Sequence, residues 1–299
     1  MDRITQGQLT GETLRRLQGR LDDLQQQQER VSTGRDLNRP SDNPAEMDRA
    51  LVLRADEAAR AQQKRNAENA QSRLEITDST MDSINDRFQR ARDLAVTGAS
   101  ESSDPQSREA IADEIDGLLE DVVELANAEQ SGRGLFSGYQ DGPAVEENAA
   151  GDFVFNPDGQ ERISTAVGLG AEVDVNVTAA EMLDAPVADG NSLELLRGLS
   201  DALRNDDLDG VDQRIGDIDE ARETLNAARS VIGVSQNRVE SAIERAERDL
   251  IALGEERSSV EDANMAEAIV DLQTQEVAYE ATLGATSRVL QPTLLDFIR

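Results

Sequence analysis

Residues 30–45 of the chain read RVSTGRDLNRPSDNPA and separate two long helical patterns. Gly34 and Pro40 interrupt the pattern that precedes them, because neither residue continues a helix well. Asn43 then offers an N-cap side chain, and Pro44 suits the first position of a new helix. This stretch therefore predicts a short break at which one long helix ends and a second begins.

The helix before the break carries a narrow apolar stripe with heptad spacing. Its apolar members are Leu14, Leu17, Leu21, Leu24 and Val31, and Gln28 occupies the remaining position. Alternating steps of three and four residues place these side chains along one seam, as in a coiled coil. The stripe therefore predicts a contact with another helix.

Two more helices are predicted before residue 132. The helix that starts at Pro44 keeps its pattern to about Gly98, and the third starts at Asp104-Pro105. The clearest apolar track of the first of these is Leu74, Thr77, Met81, Ile84, Phe88, Ala91 and Ala95. The apolar face of the other is Ile111, Ile115, Leu118, Val122 and Leu125.

Helical patterns resume at Asn191, where Asn191 and Glu194 are spaced for a capping box. From Val211 to residue 260, steps of four and three reach apolar residues at eleven of fifteen positions. This predicts one helix about 75 Å long. The pattern breaks near Asn264, and a last helix follows. Its two tracks are Met265, Leu272, Tyr279 and Thr286, and Ile269, Glu276, Leu283 and Leu290.

The segment 132–191 has a different character, with nine of the 21 glycines and three of the seven prolines. Phe153–Phe155 and Arg162–Ser164, joined by a turn, predict a β-hairpin. The alternation over Glu172–Thr178 predicts a half-buried strand. Residues 141–189 hold eleven acids and one base, so we expect a small, acidic, β-rich insert.

The composition excludes most chemistry. The 299 residues include 61 acidic and 30 basic side chains, a formal net charge of −31, and no Cys, His or Trp. Catalytic triads, thiolate nucleophiles and His or Cys metal sites are therefore unavailable, and the charge opposes binding to nucleic acid or anionic membranes. No stretch reaches the length of a membrane span, and the N-terminus lacks the apolar core of a cleaved signal peptide. We expect neither an enzyme nor a cofactor.

One segment is similar to a metal-binding loop. Asn205–Gly210 places acids and a glycine as in an EF-hand, but Gly216 stands where the loop needs a bidentate Glu. The pairs Gly132–Gly134 and Gly168–Gly170 lack the lysine or the fingerprint of a nucleotide site. We therefore expect a solvated helix–helix turn and no metal site.

Together these patterns predict a mainly α, elongated fold, whose N- and C-terminal helices pair as a coiled coil or helical bundle, with a small β-rich insert in the middle. The predicted domains are residues 1–41 with 261–299 for coiled-coil assembly, 42–131 with 192–260 as a helical bundle, and 132–191 as the acidic outer insert. The heptads fit an intramolecular bundle or contacts between subunits. Residues 1–70 hold 12 acids and 12 bases, which favours contacts between subunits there. The acidity beyond them fits solvent-facing surfaces or a high-salt habitat.

Several segments resemble one family. Residues 30–45, with Asp42, Asn43 and Pro44, resemble the segment after the first helix of bacterial flagellins and their relatives, although Asp is more usual where Asn43 stands. Gly134–Gly138 resembles the element that precedes their variable region, and Asn264–Ile269 also matches. The ending Leu290–Ile298 is similar to that of the hook–filament junction branch of this family, the hook-associated protein 3 type.

The resemblance covers about residues 1–140 and 210–299. It implies a structural role, namely a ring of copies between the first hook-associated protein and the flagellin filament. It also implies export by the flagellar type III machinery with an export chaperone and without a cleaved signal peptide, and an extracellular place in the flagellum.

The residues that the resemblance singles out serve assembly. The expected assembly interface consists of Leu14, Leu17, Leu21, Leu24, Ile269, Leu272, Leu283 and Leu290. Asp42, Asn43 and Pro44 are expected to fix the joint between the inner and outer helices. The terminal helices are expected to become fully ordered only when neighbouring copies cover their stripes.

Three alternatives remain open. A flagellin, the filament subunit itself, would have the same layout. A cytoplasmic coiled-coil scaffold would share the heptads and the lack of a signal peptide. An acidic, calcium-dependent adhesin would share the charge.

Overall fold

The computed structural model describes residues 2–100, 103–139, 142–156, 161–168 and 170–290. In these ranges there are seven helices: α1 (Asp2–Thr33), α2 (Pro44–Gly98), α3 (Pro105–Ala126), α4 (Ala179–Leu183), α5 (Ser192–Arg204), α6 (Leu208–Glu261) and α7 (Met265–Leu290). The same ranges contain six short strands: β1 (Glu129–Gln130), β2 (Arg133–Gly134), β3 (Val145–Glu147), β4 (Phe153–Phe155), β5 (Ser164–Gly168) and β6 (Ala171–Asp174). The prediction of a mainly α fold with a small β-containing middle region is confirmed. None of these helices is both long and apolar enough to cross a membrane.

The helix boundaries follow the capping residues of the sequence. α1 ends at Thr33, and Gly34 adopts a φ of +69°, a left-handed conformation that glycine reaches without strain. α2 begins at Pro44, and the side chain of Asn43 accepts a hydrogen bond from the Glu46 amide at 3.4 Å. The predicted starts of α3 and α7 are confirmed as well.

The chain divides into two compact units, Met1–Ala59 with Leu250–Arg299 and Arg60–Asp249. The three predicted domains, with boundaries near 41, 131, 191 and 260, stay a prediction.

The core of the second unit is formed by one face of each long helix. The predicted track of α2 is buried over its whole length, from Leu74 to Ala95. Ile115 and Val122 of α3 join it, as do Phe136 and Met182 from the middle region. The insert therefore packs on the same core as the helices.

Ion pairs attach α3 and α6 to opposite flanks of α2. Arg87 of α2 binds Asp121 of α3, with Nε 2.8 Å from Oδ2. Arg229 of α6 binds Asp78 of α2, with Nε 2.6 Å from Oδ1. At 100° per residue, Arg87 and Asp78 lie on either side of the buried track of α2, so α3 and α6 pack along opposite flanks of this track.

The strand pairing corrects the prediction. In the described ranges the strands form three two-stranded antiparallel sheets, β1–β2, β3–β4 and β5–β6. Val145 of β3 lies opposite Phe155 of β4, whereas Ser164 of β5 lies opposite Asp174 of β6. The predicted hairpin between Phe153–Phe155 and Arg162–Ser164 is therefore wrong, and part of its turn lies outside the described residues. The strand predicted over Glu172–Thr178 is confirmed only for Glu172–Asp174, which belong to β6, because residues 175–178 form no strand.

The partner of β4 is positioned by a residue far away in sequence. Asn127, just after α3, accepts the amides of Ala144 and Val145 at 2.7 and 3.0 Å and donates to the Val145 carbonyl at 3.0 Å. These hydrogen bonds hold β3 in place. The sequence pattern of residues 153–164 does not include Asn127 and could not predict these hydrogen bonds.

The capping box predicted at Asn191 is only half formed. Asn191 Oδ1 accepts two amides of the first turn of α5, both at 3.0 Å. The Glu194 carboxylate instead accepts the Phe153 amide at 2.6 Å, because β4 lies within its reach. A complete capping box occurs at the start of α4, between Thr178 and Glu181.

Candidate assembly interface

α1 and α7 pack against each other in the first unit and run in opposite directions. Arg30, near the end of α1, has Nη1 3.6 Å from Oδ2 of Asp271, near the start of α7. The two terminal helices thus pair within one chain, as the sequence predicts.

Only part of the predicted apolar stripe lies between α1 and α7. Leu24 is 9% exposed, and Leu17 is half-buried on the same side of α1. On α7 the buried side is the track of Leu272, Tyr279 and Thr286, of which Thr286 is buried and the other two are half-buried. We call Leu17, Leu24 and Leu272 the inner seam.

Four of the predicted interface residues point away from the inner seam. They are Leu14, 46% exposed, Leu21, 39%, Ile269, 44%, and Leu283, 48%. We call these four residues the outer face. Val270 and Val277 of α7 are exposed as well. So many exposed apolar side chains on one helix pair favour burial against another protein.

The eight predicted residues thus belong to two adjacent stripes, with one exception. Leu290 ends α7, and its side chain lies outside those the structure describes. Steps of three and four residues reach both stripes, because neighbouring stripes of a helix differ by only about 40–60° around its axis. The heptad pattern therefore predicted as one interface two sets of residues, the inner seam within the chain and the exposed outer face.

The predicted joint residues organise the loop between α1 and α2. Asp42 Oδ2 accepts the amides of Asn38 and Arg39 at 3.2 and 2.8 Å. Asn43 caps α2, and Pro44 is its first residue. All three lie in the first compact unit, and their role as a joint between domains stays a prediction.

Backbone hydrogen bonds tie this loop to the break between α6 and α7. The Asp36 amide donates to the Glu261 carbonyl at 2.8 Å, and the Ala263 amide donates to the Gly34 carbonyl at 2.9 Å. The two helix breaks that the sequence predicts separately thus form one structure.

Glu261 is a site residue that sequence reasoning missed. It is fully buried, and its carboxylate lies 2.7 Å from Arg54, 3.5 Å from Arg257 and 4.0 Å from Arg35. Burial alone raises the pKa of this carboxyl, but the contact with Arg54 and the charges of Arg257 and Arg35 outweigh burial and lower the pKa below its ordinary value. An acidic residue at the last position of a helix is unfavourable beside the negative end of the helix dipole. This unusual position is the sequence feature from which a special role of Glu261 could have been predicted.

The loop that is similar to an EF-hand has other partners. Asp206 binds Arg108, and Asp207 Oδ1 accepts the Gly210 amide at 3.1 Å. α6 begins at Leu208, so the segment is the turn between two helices. Within the ranges the structure describes, no group of three or more acidic side chains is arranged to hold a metal ion.

Known proteins share this architecture. The model of the bacterial flagellin N-terminal helical region matches residues 4–141, and that of the bacterial flagellin C-terminal helical region matches residues 215–298. The flagellar filament 33 kDa core protein of Treponema phagedenis is 23% identical over 271 residues, 90% of each chain. Flagellar hook-associated protein 3 of Salmonella typhimurium is 23% identical over 173 residues, 56% of this chain and 54% of its own.

A solved structure has the same fold. Flagellar hook associated protein-3 from Legionella pneumophila superposes with a TM-score of 0.65 at 14% identity, over 70% of this chain and 98% of its own. A paired set of terminal helices with an exposed apolar face in one unit, and a helical bundle with a small insert in the other, are the features that the chain shares with the helical flagellar proteins. Because both helical ends match the two regions of one family, the chain belongs to the bacterial flagellin family.

Proposed function

We propose that this chain is a hook–filament junction protein of the hook-associated protein 3 type. In this role a ring of copies joins the first hook-associated protein to the flagellin filament. The observation that carries the proposal is the likeness of its fold to 98% of the Legionella hook associated protein-3. The ending Leu290–Ile298, which lies largely outside the described residues, supports the same branch of the family.

The proposed mechanism is assembly without chemistry. The outer face of α1 and α7 is apolar and is not covered by the residues of the first compact unit that the structure describes. Burying such a half-exposed leucine against a neighbouring copy contributes roughly 1 kcal/mol, and a ring repeats the contribution at every subunit. The inner seam keeps the two helices together while the outer face binds neighbours.

The proposed location follows from the same role. The chain would leave the cell through the flagellar type III machinery, escorted by an export chaperone, and lie outside the cell at the end of the hook. Its partners there would be copies of itself, the first hook-associated protein and flagellin. The terminal segments would form the assembly domain, and the acidic insert would face solvent.

A filament flagellin is the second candidate. The favouring observation is that a filament core protein aligns over 90% of this chain, whereas hook-associated protein 3 of Salmonella aligns over 56%. Both relatives are 23% identical, so identity does not separate the two functions. We give the fold likeness more weight because it extends over almost the whole of a junction protein.

Antibody labelling of intact flagella tests the proposal. A single band beside the hook supports a junction protein, and label along the whole filament supports a flagellin. Deletion of the gene provides the second measurement. A junction protein predicts cells that keep their hooks and release flagellin into the medium. A chain that stays inside the cell and is absent from sheared flagella would instead indicate a cytoplasmic scaffold.

A further inference from the structure

The second compact unit has a surface with unpaired arginines. Among the arginine side chains that the structure describes, only Arg133, Arg238 and Arg245 take part in no hydrogen bond or ion pair. Acids outnumber bases 61 to 30 in this chain, so an arginine finds a partner easily. Two of the three exceptions nevertheless lie seven residues apart on one face of α6, about 10 Å along its axis.

These two arginines border an open groove of about 520 Å³ between α6 and the β5–β6 hairpin. Val234, 52% exposed, and Val173 give it an apolar floor. Glu172 also lines the groove but forms no ion pair with either arginine in the described structure. We call Val234, Arg238, Ser241 and Arg245 the arginine groove.

The sequence of α6 leaves these charges unsatisfied. The residues three and four positions from Arg238 are Val234, Ser235, Ser241 and Ala242, so its own helix supplies no acid. Arg245 has Asp249 four residues on, but that carboxylate lies 3.6 Å from Nε of Arg60 and forms no ion pair with Arg245. The arginine groove is thus a positive, partly apolar surface on a strongly negative protein, and it adds no ion pair to the stability of one copy.

α3 carries a surface of opposite charge. One face of this helix consists of Glu109, Asp113, Asp116, Glu120 and Glu124, which we call the acidic ridge. Arg204 binds Asp113 and Asp116, while Glu120 and Glu124 are exposed and have no ion-pair partner among the described residues. Like charges four residues apart destabilise a helix slightly, so these two acids are better placed for an external cation.

One copy cannot join these two surfaces. α3 and α6 bind opposite flanks of α2 through Arg87–Asp121 and Arg229–Asp78, nine residues apart on α2. Because α6 runs antiparallel to α2, Arg238 lies a further nine residues away in the same direction, so about 27 Å along the helix axes separates it from the level of Arg87. A contact between the acidic ridge and the arginine groove must therefore form between molecules. It joins different patches of two copies, and a heterologous contact of this kind closes into a ring or continues as a helix.

We propose that the arginine groove of one copy receives the acidic ridge, at Glu120 and Glu124, of the next copy. The inference rests on the proposed function, in which copies of this chain form a ring. Copies that each carry a net charge of −31 repel one another, and positive groups at a place where copies meet lower this repulsion. The arginine groove supplies these groups, and Val234 adds apolar area beside them.

Disulfide crosslinking tests the contact directly, because the chain has no cysteine of its own. Ser241→Cys lies between the two arginines, and Gly117→Cys lies beside the ridge, where an added Cβ meets nothing within 4 Å. The double variant keeps all four charges. Mild oxidation should give a ladder of dimers, trimers and larger species. Neither single variant should form dimers, nor should the control pair Ser241→Cys with Gly216→Cys form a ladder.

Charge reversal supplies the second readout. Arg238→Glu with Arg245→Glu, added to the cysteine pair, should lower the ladder yield at least about tenfold. Adding Glu120→Arg and Glu124→Arg to that chain should restore it. The control Arg65→Glu with Arg248→Glu changes the net charge equally at exposed positions outside the groove and should leave the ladder intact.

The assays are run on sheared flagella and on the concentrated purified chain. A chain that is present in flagella but forms no ladder in either sample overturns the contact and leaves the proposed function standing. A chain that is absent from flagella contradicts the proposed function. Even then, the contact is supported if the purified chain forms a ladder that the two Arg→Glu substitutions abolish and the two added Glu→Arg substitutions restore. Dimers of Ser241→Cys alone would indicate a symmetric groove-to-groove contact and overturn the proposal.

Discussion

Leu21 and Leu24 lie three residues apart on α1, yet Leu24 is 9% exposed on the side that packs against α7, and Leu21 is 39% exposed beside it. The two leucines belong to one heptad pattern in the sequence. In the structure one stabilises the chain itself, and the other is available to a neighbour. Substitutions at the two positions should therefore have separable effects.

The outer face should be required for assembly and not for folding. Leu21→Asp with Leu283→Asp should change the free energy of unfolding by about 1 kcal/mol or less, because both side chains are exposed. The same variant should be missing from sheared flagella, and its cells should lose motility in soft agar. Gln26→Asp with Thr274→Asp, at exposed polar positions outside the outer face, should assemble normally. Normal motility of the leucine variant would contradict the role of the outer face.

The inner seam should be required for the pairing of α1 with α7. Leu24→Ala removes a buried side chain and should cost about 2 kcal/mol, at the low end for a core leucine because the seam is narrow. Hydrogen exchange of the α1 amides should speed up accordingly. Leu21→Ala is the matched control, and we expect it to change exchange in α1 by less than half as much.

Glu261 should stabilise the first unit in a pH-dependent way. Glu261→Gln should lower the free energy of unfolding by about 2 kcal/mol at pH 7, because three arginines lose a buried carboxylate. The pKa of Glu261 in the folded state is below its ordinary value of 4.5, so its contribution is complete above pH 4.5 and disappears as the pH falls through the lower folded pKa.

Urea unfolding at pH 7 and at about pH 3 measures this difference. The gap between parent and Glu261→Gln should narrow at the lower pH. Glu255→Gln, at an exposed position on the same helix, is the control. An equal gap at both pH values would show that the carboxylate acts through packing and not through charge.

Arg229 should hold α6 to α2 through its fork-shaped guanidinium. Its Nε and Nη2 lie 2.6 and 3.3 Å from the two oxygens of Asp78. Lysine cannot reproduce this two-pronged contact, so Arg229→Lys should cost about 1 kcal/mol in urea unfolding. Arg248→Lys, in an exposed pair with Glu244, should change stability by less than about 0.3 kcal/mol. Equal effects of the two substitutions would contradict the special role of Arg229.

The helix boundaries were predictable because their causes are local. Pro44 and Pro105 begin helices, and Gly34 follows the end of one, through conformational preferences that each residue carries in any protein. The buried track of α2 was predictable for the same reason, since one period of 3.6 residues selects a single face. The resemblance to flagellins rests on these helical segments, and the matches to the two flagellin regions confirm that the chain belongs to this family.

The strand pairing and the chemistry of the joint were not predictable in this way. β4 pairs with β3 because Asn127 holds β3, and Glu194 turns from its own helix to the Phe153 amide. Glu261 meets Arg54 only after two helix breaks come together. Each of these contacts joins residues that are distant in sequence, and no local pattern records a partner.

The sequence by itself determined the long helices, their main breaks, the excess of acid and the family, because backbone preferences, side-chain period and motifs act over a few residues. The tertiary structure decided which leucines of one heptad pattern are buried inside the chain, and which of the described arginines have no partner. Those outcomes depend on the rotation of each helix against its neighbours. Only packing sets that rotation, and it leaves the outer face and the arginine groove exposed in the described structure.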